Sequence, residues 1–435
     1  MKILVLTDSF PPYNLGGAGE VAELVSCGLA QRGHEVLVVT GTAQLSQVGF
    51  SERNGAGVRR IWSPVPSLLR LHLSLAHPLA VAQVRRIAAQ FRPDVVHAHN
   101  VHERLSFASL GAARVGAPLV LTAHDYLLFC LTKFLCSEGN VSYQAVPERC
   151  THCIHIRRVP RRNAMVHGMV RRHAAAIACI SDAQRTAMRA NGFGDVPLVT
   201  VHNGIDSAVP MFDDTAKRRF RSERGIDGRP LVFFGGRISG AKGGDQLLRA
   251  MVEARKRVDC QVAVAGDRER YFKHARRLAD EIGLEQNALH TLGWLEGEQL
   301  DLAFQAAQVI ANPSVYPDPF NLMNLRAMAH ARPVVGTCYG GTVEIVVDGV
   351  TGQIADPWKP AEFGARLADL LTEPGRATML GEAGRERLAR KFTLDRQVER
   401  YVDLFDRVRR PGARRSATTT HIPNDSATVL SASAN

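Results

Sequence analysis

An α/β architecture of two doubly wound domains facing a central crevice follows from three features of the 435-residue sequence. Short β-branched runs alternate with amphipathic helical stretches over nearly the whole chain, as βα units around parallel sheets do. The alternation restarts after a polar, charged stretch at Met211–Arg229. The length exceeds one ordinary core but suits two domains of about 200 residues each, which also excludes a single small binding module.

In chain order, the first set of strands is expected at Ile3–Leu6, Val36–Thr40, Val95–Ala98, Leu119–Thr122, Ala176–Ile180 and Val199–His202. A helix is expected over Glu20–Gln31, where Val21, Leu24, Val25 and Leu29 share one face and Gly33 suits the stop. The second set is Leu231–Phe234, Val262–Ala265, Val309–Ala311 and Val334–Gly336. The helices of that set lie near Asp245–Arg257, Tyr271–Ile282, Gln299–Ala307 and Leu322–Ala329. The chain therefore divides into a first domain at 1–205, containing a cysteine-bearing loop at 125–156, and a second at 206–390. A C-terminal helix at 391–410, strongest over Leu394–Arg409, stands apart from the second alternation and is free to return to the first domain. The Ser/Thr/Ala-rich segment 411–435 has little to bury and is expected to be disordered.

With 45% hydrophobic, 22% charged and 6% aromatic residues, the composition is that of a globular protein rather than a fibrous or membrane-embedded one. No run approaches the roughly 20 apolar residues that span a bilayer. The N-terminus reads as a buried first strand rather than a signal peptide, so a cytoplasmic protein is expected. A net charge of +12 suggests a phosphate-rich partner. Arg157, Arg158, Arg161, Arg162, Arg171 and Arg172 form the densest basic block. It suits either a solvated face or an anionic membrane surface. No basic stretch interleaved with aromatics argues for nucleic acid.

The segment PLVFFGGRISGAKGGDQLLRA places Arg237 just past a buried strand and Lys242 five residues on, before a helix. Two cations, a glycine-rich turn and a helix N-terminus at one strand's carboxyl end favour a pyrophosphate. In the first domain, Gly16-Gly17-Ala18-Gly19 opens the first helix. Nine residues separate this turn from the strand, and no acid ends the second strand, which disfavours a nicotinamide or flavin enzyme. The turn still aims helix N–H groups into the crevice. Cys130, Cys136, Cys150 and Cys153 cluster in the 125–156 loop. Cys150-x2-Cys153 has metal-knuckle spacing, so a structural zinc is expected, with His152 and His155 as substitute ligands. The alternative is four thiols that only pack the loop.

Further motifs add order to these. GG stands near the start, RGHEV at 32–36, DVVHAH at 94–99, TAHD at 122–125, NGID at 203–206 and GGR…KG at 235–243. YPDPFNLMNLRAMAH follows at 316–330 and GGTVEIV…DG..G at 340–352. With these motifs in this order over about residues 1–400, the sequence resembles the family 4 retaining glycosyltransferases of the GT-B fold, two Rossmann-like domains around a cleft. The resemblance implies an acceptor-side first domain and a nucleotide-sugar donor domain second. Arg237 and Lys242 match the pair that neutralises the donor pyrophosphate. Gly16 and Gly17 match the loop that contacts donor phosphate or acceptor. His124 matches the active-site histidine near the transferred sugar, and Asp318 the first acid of an E-x7-E motif beside it. Phe320, Asn321 and Leu322 match the turn whose N–H groups face sugar and phosphate. The implied reaction moves a sugar to a hydroxyl of a glycan or lipid-linked acceptor, with retention and without a catalytic metal.

Two positions depart from that pattern. The first acid is shortened to Asp318, and the second is Arg326, whose guanidinium offers no acceptor to the ribose that the family's carboxylate holds. Arg326 could grip an anionic part of the donor, the reading favoured by the register kept at Asp318, Phe320 and Leu322, or point away. A catalytically impaired binding subunit, or an epimerase or phosphorylase on the same fold, is the alternative.

Overall fold

A computed structural model describes residues 1–13, 16–135, 143, 145, 159–236, 240–266 and 269–410. Within these residues the strands form two sheets. The first holds β1 (Lys2–Thr7), β2 (Glu35–Thr42), β3 (Gly49–Arg53), β4 (Ala56–Trp62), β5 (Val95–Ala98), β6 (Leu119–Ala123), β7 (Ala176–Cys179) and β8 (Leu198–Thr200). Their spatial order is β3-β4-β2-β1-β5-β6-β7-β8, parallel except where β3 runs antiparallel to β4. The second holds β9 (Leu231–Gly235), β10 (Gln261–Ala265), β11 (Leu289–Gly293), β12 (Val309–Asn312), β13 (Val334–Thr337) and β14 (Gly352–Ala355), ordered β11-β10-β9-β12-β13-β14 and parallel throughout.

The sequence pattern overlooks β3, β4, β11 and β14. It also overlooks the helix Asp214–Ser222 inside the polar stretch, of which only Phe220 is buried. Each sheet reverses its strand order next to its first strand: between β1 and β5, and between β9 and β12. A crevice opens at the carboxyl ends of the strands at such points.

The chain crosses between the sheets twice, side by side. Ile205 N donates to Phe392 O and Leu394 N to Ile205 O, both at 3.0 Å. Gly204 is required there, since a Cβ would stand 2.2 Å from Thr393 O. The helix Leu394–Arg409 then packs on the first sheet. Its Val398, Tyr401, Leu404 and Phe405 are buried with Ile3, Val5 and Val25, and Arg32 pairs with Asp395 at 3.0 Å.

The basic block is not one solvated face. Arg162, on the helix Val159–His173, is 3% exposed, stacks over Phe107 and donates to Leu127 O at 2.6 Å, and burial lowers its pKa to about 10. Arg171 faces Asp195 at 3.5 Å. Arg157, Arg158, Cys136, Cys150, Cys153, His152, His155 and the 411–435 tail lie outside the described residues. Cys130 is buried, its Sγ 3.2 Å from Thr132 Oγ1. Among the described residues no helix is long and apolar enough to cross a membrane.

Candidate active site

On the second sheet the switch point brings together the loops that follow β9 and β12. Lys242 lies just before the helix Gly244–Arg255, and its Nζ donates to Asp318 Oδ2 at 2.5 Å. The approach is possible because Gly243 has a φ of +75° and no side chain: a Cβ would stand 1.8 Å from Pro313 O. Arg237 lies outside the described residues. Asp318, 4% exposed, also receives Asn321 Nδ2 at 3.3 Å and Ser314 Oγ at 3.5 Å. Asn321 caps the helix Leu322–Ala329 by accepting from Met323 N at 2.9 Å, and it donates to Asn312 Oδ1 at 3.0 Å. The cation, the acid and the helix start therefore form one hydrogen-bonded unit, with the positive end of the helix dipole beside Lys242. Phe320 turns its ring inward, 5.5 Å from His202 and 5.8 Å from Phe392. Its side chain thus belongs to the packing beside the crossover.

The first sheet presents neutral groups instead. His99, at the end of β5, and His124, at the end of β6, share a hydrogen bond of 2.7 Å between His99 Nδ1 and His124 Nε2, with the rings stacked. Behind them His97 Nε2 bonds Thr122 Oγ1 at 2.8 Å, which in turn bonds Tyr401 Oη of the returning helix at 2.9 Å. Burial drives His97 to about 3 and His124 to about 4, and it drives His99 well below its ordinary value with help from its histidine neighbours. At neutral pH all three are uncharged hydrogen-bonding groups. His124 is partly exposed. Next to it, Asp125 accepts from Asn100 at 3.1 Å and lies 3.3 Å from Lys133. Burial raises the pKa of Asp125, but His102 and Lys133 outweigh it and hold the group below the usual range. Asp8, at the end of β1, accepts the N–H groups of Glu103, Arg104 and Leu105 at 2.7–2.9 Å and so fixes the loop after β5.

Both halves of the chain match known families. The model of a glycosyl transferase 4-like domain matches residues 16–204, and that of glycosyl transferases group 1 matches residues 216–387. The chain belongs to the group 1 glycosyltransferases of the GT-B fold. Among its relatives, alpha-maltose-1-phosphate synthase of Mycobacterium tuberculosis is 29% identical over 94% of this chain and all of its own. Alpha-D-kanosaminyltransferase of Streptomyces kanamyceticus is 25% identical over 87% and 96%. Of solved structures, Anabaena Alr3699/HepE, determined with UDP and glucose, superposes with a TM-score of 0.68 at 20% identity, over 93% of this chain and 99% of that one. Sucrose-phosphate synthase of Thermosynechococcus elongatus reaches 0.73 at 18%, over 94% and 98%.

In this glycosyltransferase the two half-sites face each other directly. A Cβ on Gly17 would lie 3.5 Å from Leu322 Cδ1, so the start of the helix Gly17–Gln31 touches the start of the helix Leu322–Ala329. Gly16 N-caps the former. One turn further along, Arg326 Nη2 donates to Glu20 Oε1. The guanidinium that the sequence pattern assigns to an anionic ligand thus has a partner in the opposite domain. Glu344, from the glycine-rich segment after β13, accepts Asp182 N and Ala183 N at 2.8 Å, capping a first-domain helix, and meets His202 Nε2 at 2.9 Å. Tyr126 Oη donates to Pro317 O at 2.7 Å. Glu20, Glu344, His99 and Asp125 escaped the sequence reading as site residues. His99, Asp125 and Glu344 lie within the quoted DVVHAH, TAHD and GGTVEIV motifs, whereas Glu20 belongs to none and shows its contact only when the domains face each other.

Proposed function

We propose that the enzyme moves a sugar from a nucleoside-diphosphate sugar to a hydroxyl of a glycan or lipid-linked acceptor with retention at the anomeric carbon. The C1–O bond to the diphosphate breaks with its electron pair left on the diphosphate. The acceptor oxygen bonds C1 and passes its proton to an oxygen of the departing diphosphate. The observation that carries this reading is the Lys242–Asp318–Asn321 unit at the switch point of the second sheet, where a cation and helix N–H groups meet charge developing on the leaving oxygen. Arg237, by the resemblance, adds a second cation. HepE, solved with UDP and glucose, supports the donor class. His124, neutral and oriented by His99, is suited to bonding a sugar hydroxyl, and Lys242 holds Asp318 in place on the second-domain side.

An amphiphilic acceptor, or an anionic membrane surface bearing it, fits the rim on the first-domain side. After β2 and β4, the strand ends expose Leu45, Trp62, Leu69 and, at 93%, Leu68, next to Arg70. A cytoplasmic location at the inner face of the membrane agrees with that rim.

The test incubates the enzyme with UDP-, GDP- and ADP-sugars, with and without glycan and lipid-linked acceptors. Release of nucleoside diphosphate that depends on acceptor, with a product of the donor's anomeric configuration, is expected. Inversion of a sugar carbon with no acceptor would establish an epimerase instead.

A further inference from the structure

We propose that Glu20, oriented by Arg326 from the opposite domain, is the carboxylate that takes the vicinal hydroxyls of the donor's ribose. This rests on the donor reading above and adds the half of the nucleotide that Lys242 does not reach. The diphosphate belongs at the start of the helix Leu322–Ala329, where Lys242 and Asn321 converge. Arg326 lies four residues into that helix, about 6 Å along its axis at 1.5 Å per residue. A ribose lies about one such step from its diphosphate, so Arg326 and its partner are within its reach.

From Leu322 to Ala329 the helix carries no carboxylate, and a guanidinium cannot accept a hydroxyl proton. Glu20 supplies the acceptor at that level. Its Oε1 receives Arg326 Nη2, while Oε2 receives no hydrogen bond among the described residues. The two side chains are 31% and 34% exposed, so a ligand can reach the pair where the two domains meet. A carboxylate has about four acceptor sites and can keep the guanidinium while accepting two hydroxyls. The neighbouring acids are committed elsewhere: Asp318 to Lys242, and Glu344 to two backbone N–H groups and His202. The donor would then be held by its phosphates in one domain and by its ribose in the other, so that nucleotide binding draws the crevice together.

Calorimetry with UDP, GDP and ADP identifies the preferred diphosphate, which is then compared with its 2′,3′-dideoxy analogue. Wild type should lose about tenfold or more in affinity when the hydroxyls are removed, as bonds to a charged group require. Glu20→Ala should bind both ligands equally, at the wild-type affinity for the dideoxy form. The exchanged pair Glu20→Arg/Arg326→Glu, which restores a carboxylate and its cation, should recover the discrimination, and it serves if the single variant fails to fold. Discrimination of wild-type size in Glu20→Ala, or none in a folded exchanged pair, would overturn the assignment. Wild type that binds a nucleoside diphosphate without sensing its hydroxyls would overturn it too, while leaving the donor reading in place. Failure of all three diphosphates to bind would overturn both.

Discussion

The two sheets reverse their strand order in the same way, yet their switch points carry different groups: an ion pair on one, neutral imidazoles on the other. After β9 and β12 a lysine, an aspartate and a helix start are locked together, with the charge partly exposed. After β5 and β6 stand three neutral histidines, His97 and His99 buried and His124 partly exposed, with His97 linked through Thr122 to Tyr401. The shared reversal of strand order thus fixes where a ligand binds, and the residues at the strand ends decide what it meets there. A cationic end suits a departing diphosphate, whereas a neutral one can hydrogen-bond a sugar without attracting the anion to the wrong half of the crevice.

The largest effect should come from removing the charge on the second side. Lys242→Ala should lower transfer by about 10²–10³-fold, on the scale of losing one preorganised donor to a developing negative charge. Arg237→Ala should do the same. The melting temperature should fall as well in Lys242→Ala, because the buried Asp318 carboxylate loses its cation, so rates are compared at a temperature where the variant is folded. Steady-state rates with the preferred donor check this. Full activity in Lys242→Ala would erase the contrast between the two switch points.

Next in size is a pH effect confined to the first side. Burial lowers His97 to about 3 and His102 and His124 to about 4, and lowers His99 well below 6.5. Between pH 6.5 and 4 the unfolded chain therefore binds more protons than the folded one at these four sites, and stability falls as pH drops through that window. Asp8, raised to about 6 by burial, acts in the opposite sense: its contribution is lost as pH rises from 3.8 to 6. Four groups against one leave a net loss on acidification, about 5–10 °C in melting temperature between pH 6.5 and 5. Limited proteolysis at pH 5 should cut the first domain before the second. Equal cleavage of both would show that the histidines are not what separates them.

The same contrast explains how much of the molecule the sequence discloses. Strands buried on both faces, such as Leu4–Leu6 and Val262–Val264, are continuous apolar runs and can be recognised without a structure. β3, as GFSER, is a mostly exposed edge, and β14, as GQIA, is too short and mixed to show a period. The helix Asp214–Ser222 buries one residue and reads as linker. Lys242, Asp318 and Asn321 lie within motifs because one loop and one helix start must close on each other. Glu20 and Arg326 stand 306 positions apart: the motif singles out Arg326, but Glu20 looks like an ordinary helix-surface charge until the domains face each other.

The smallest effect is expected at Glu344, the contact between domains farthest in kind from the chemistry. Its carboxylate accepts two N–H groups at the start of the first-domain helix Asp182–Ala190 and also meets His202 near the crossover. Glu344→Gln keeps the shape but replaces one acceptor oxygen by an amide that repels an N–H, which should cost about 1–2 kcal/mol of contact between the domains. How that cost is divided tells what the contact is for. If Glu344 holds the closed arrangement of the crevice, transfer should fall several-fold with the donor KM raised, while the melting temperature shifts by less than about 3 °C, because neither core has lost a contact. If it merely caps a helix, the melting temperature should fall, with the rate at permissive temperature unchanged. We expect the first outcome. The capped N–H groups and the carboxylate belong to different domains, so the bond has full strength only when the neutral and the cationic switch points are brought face to face.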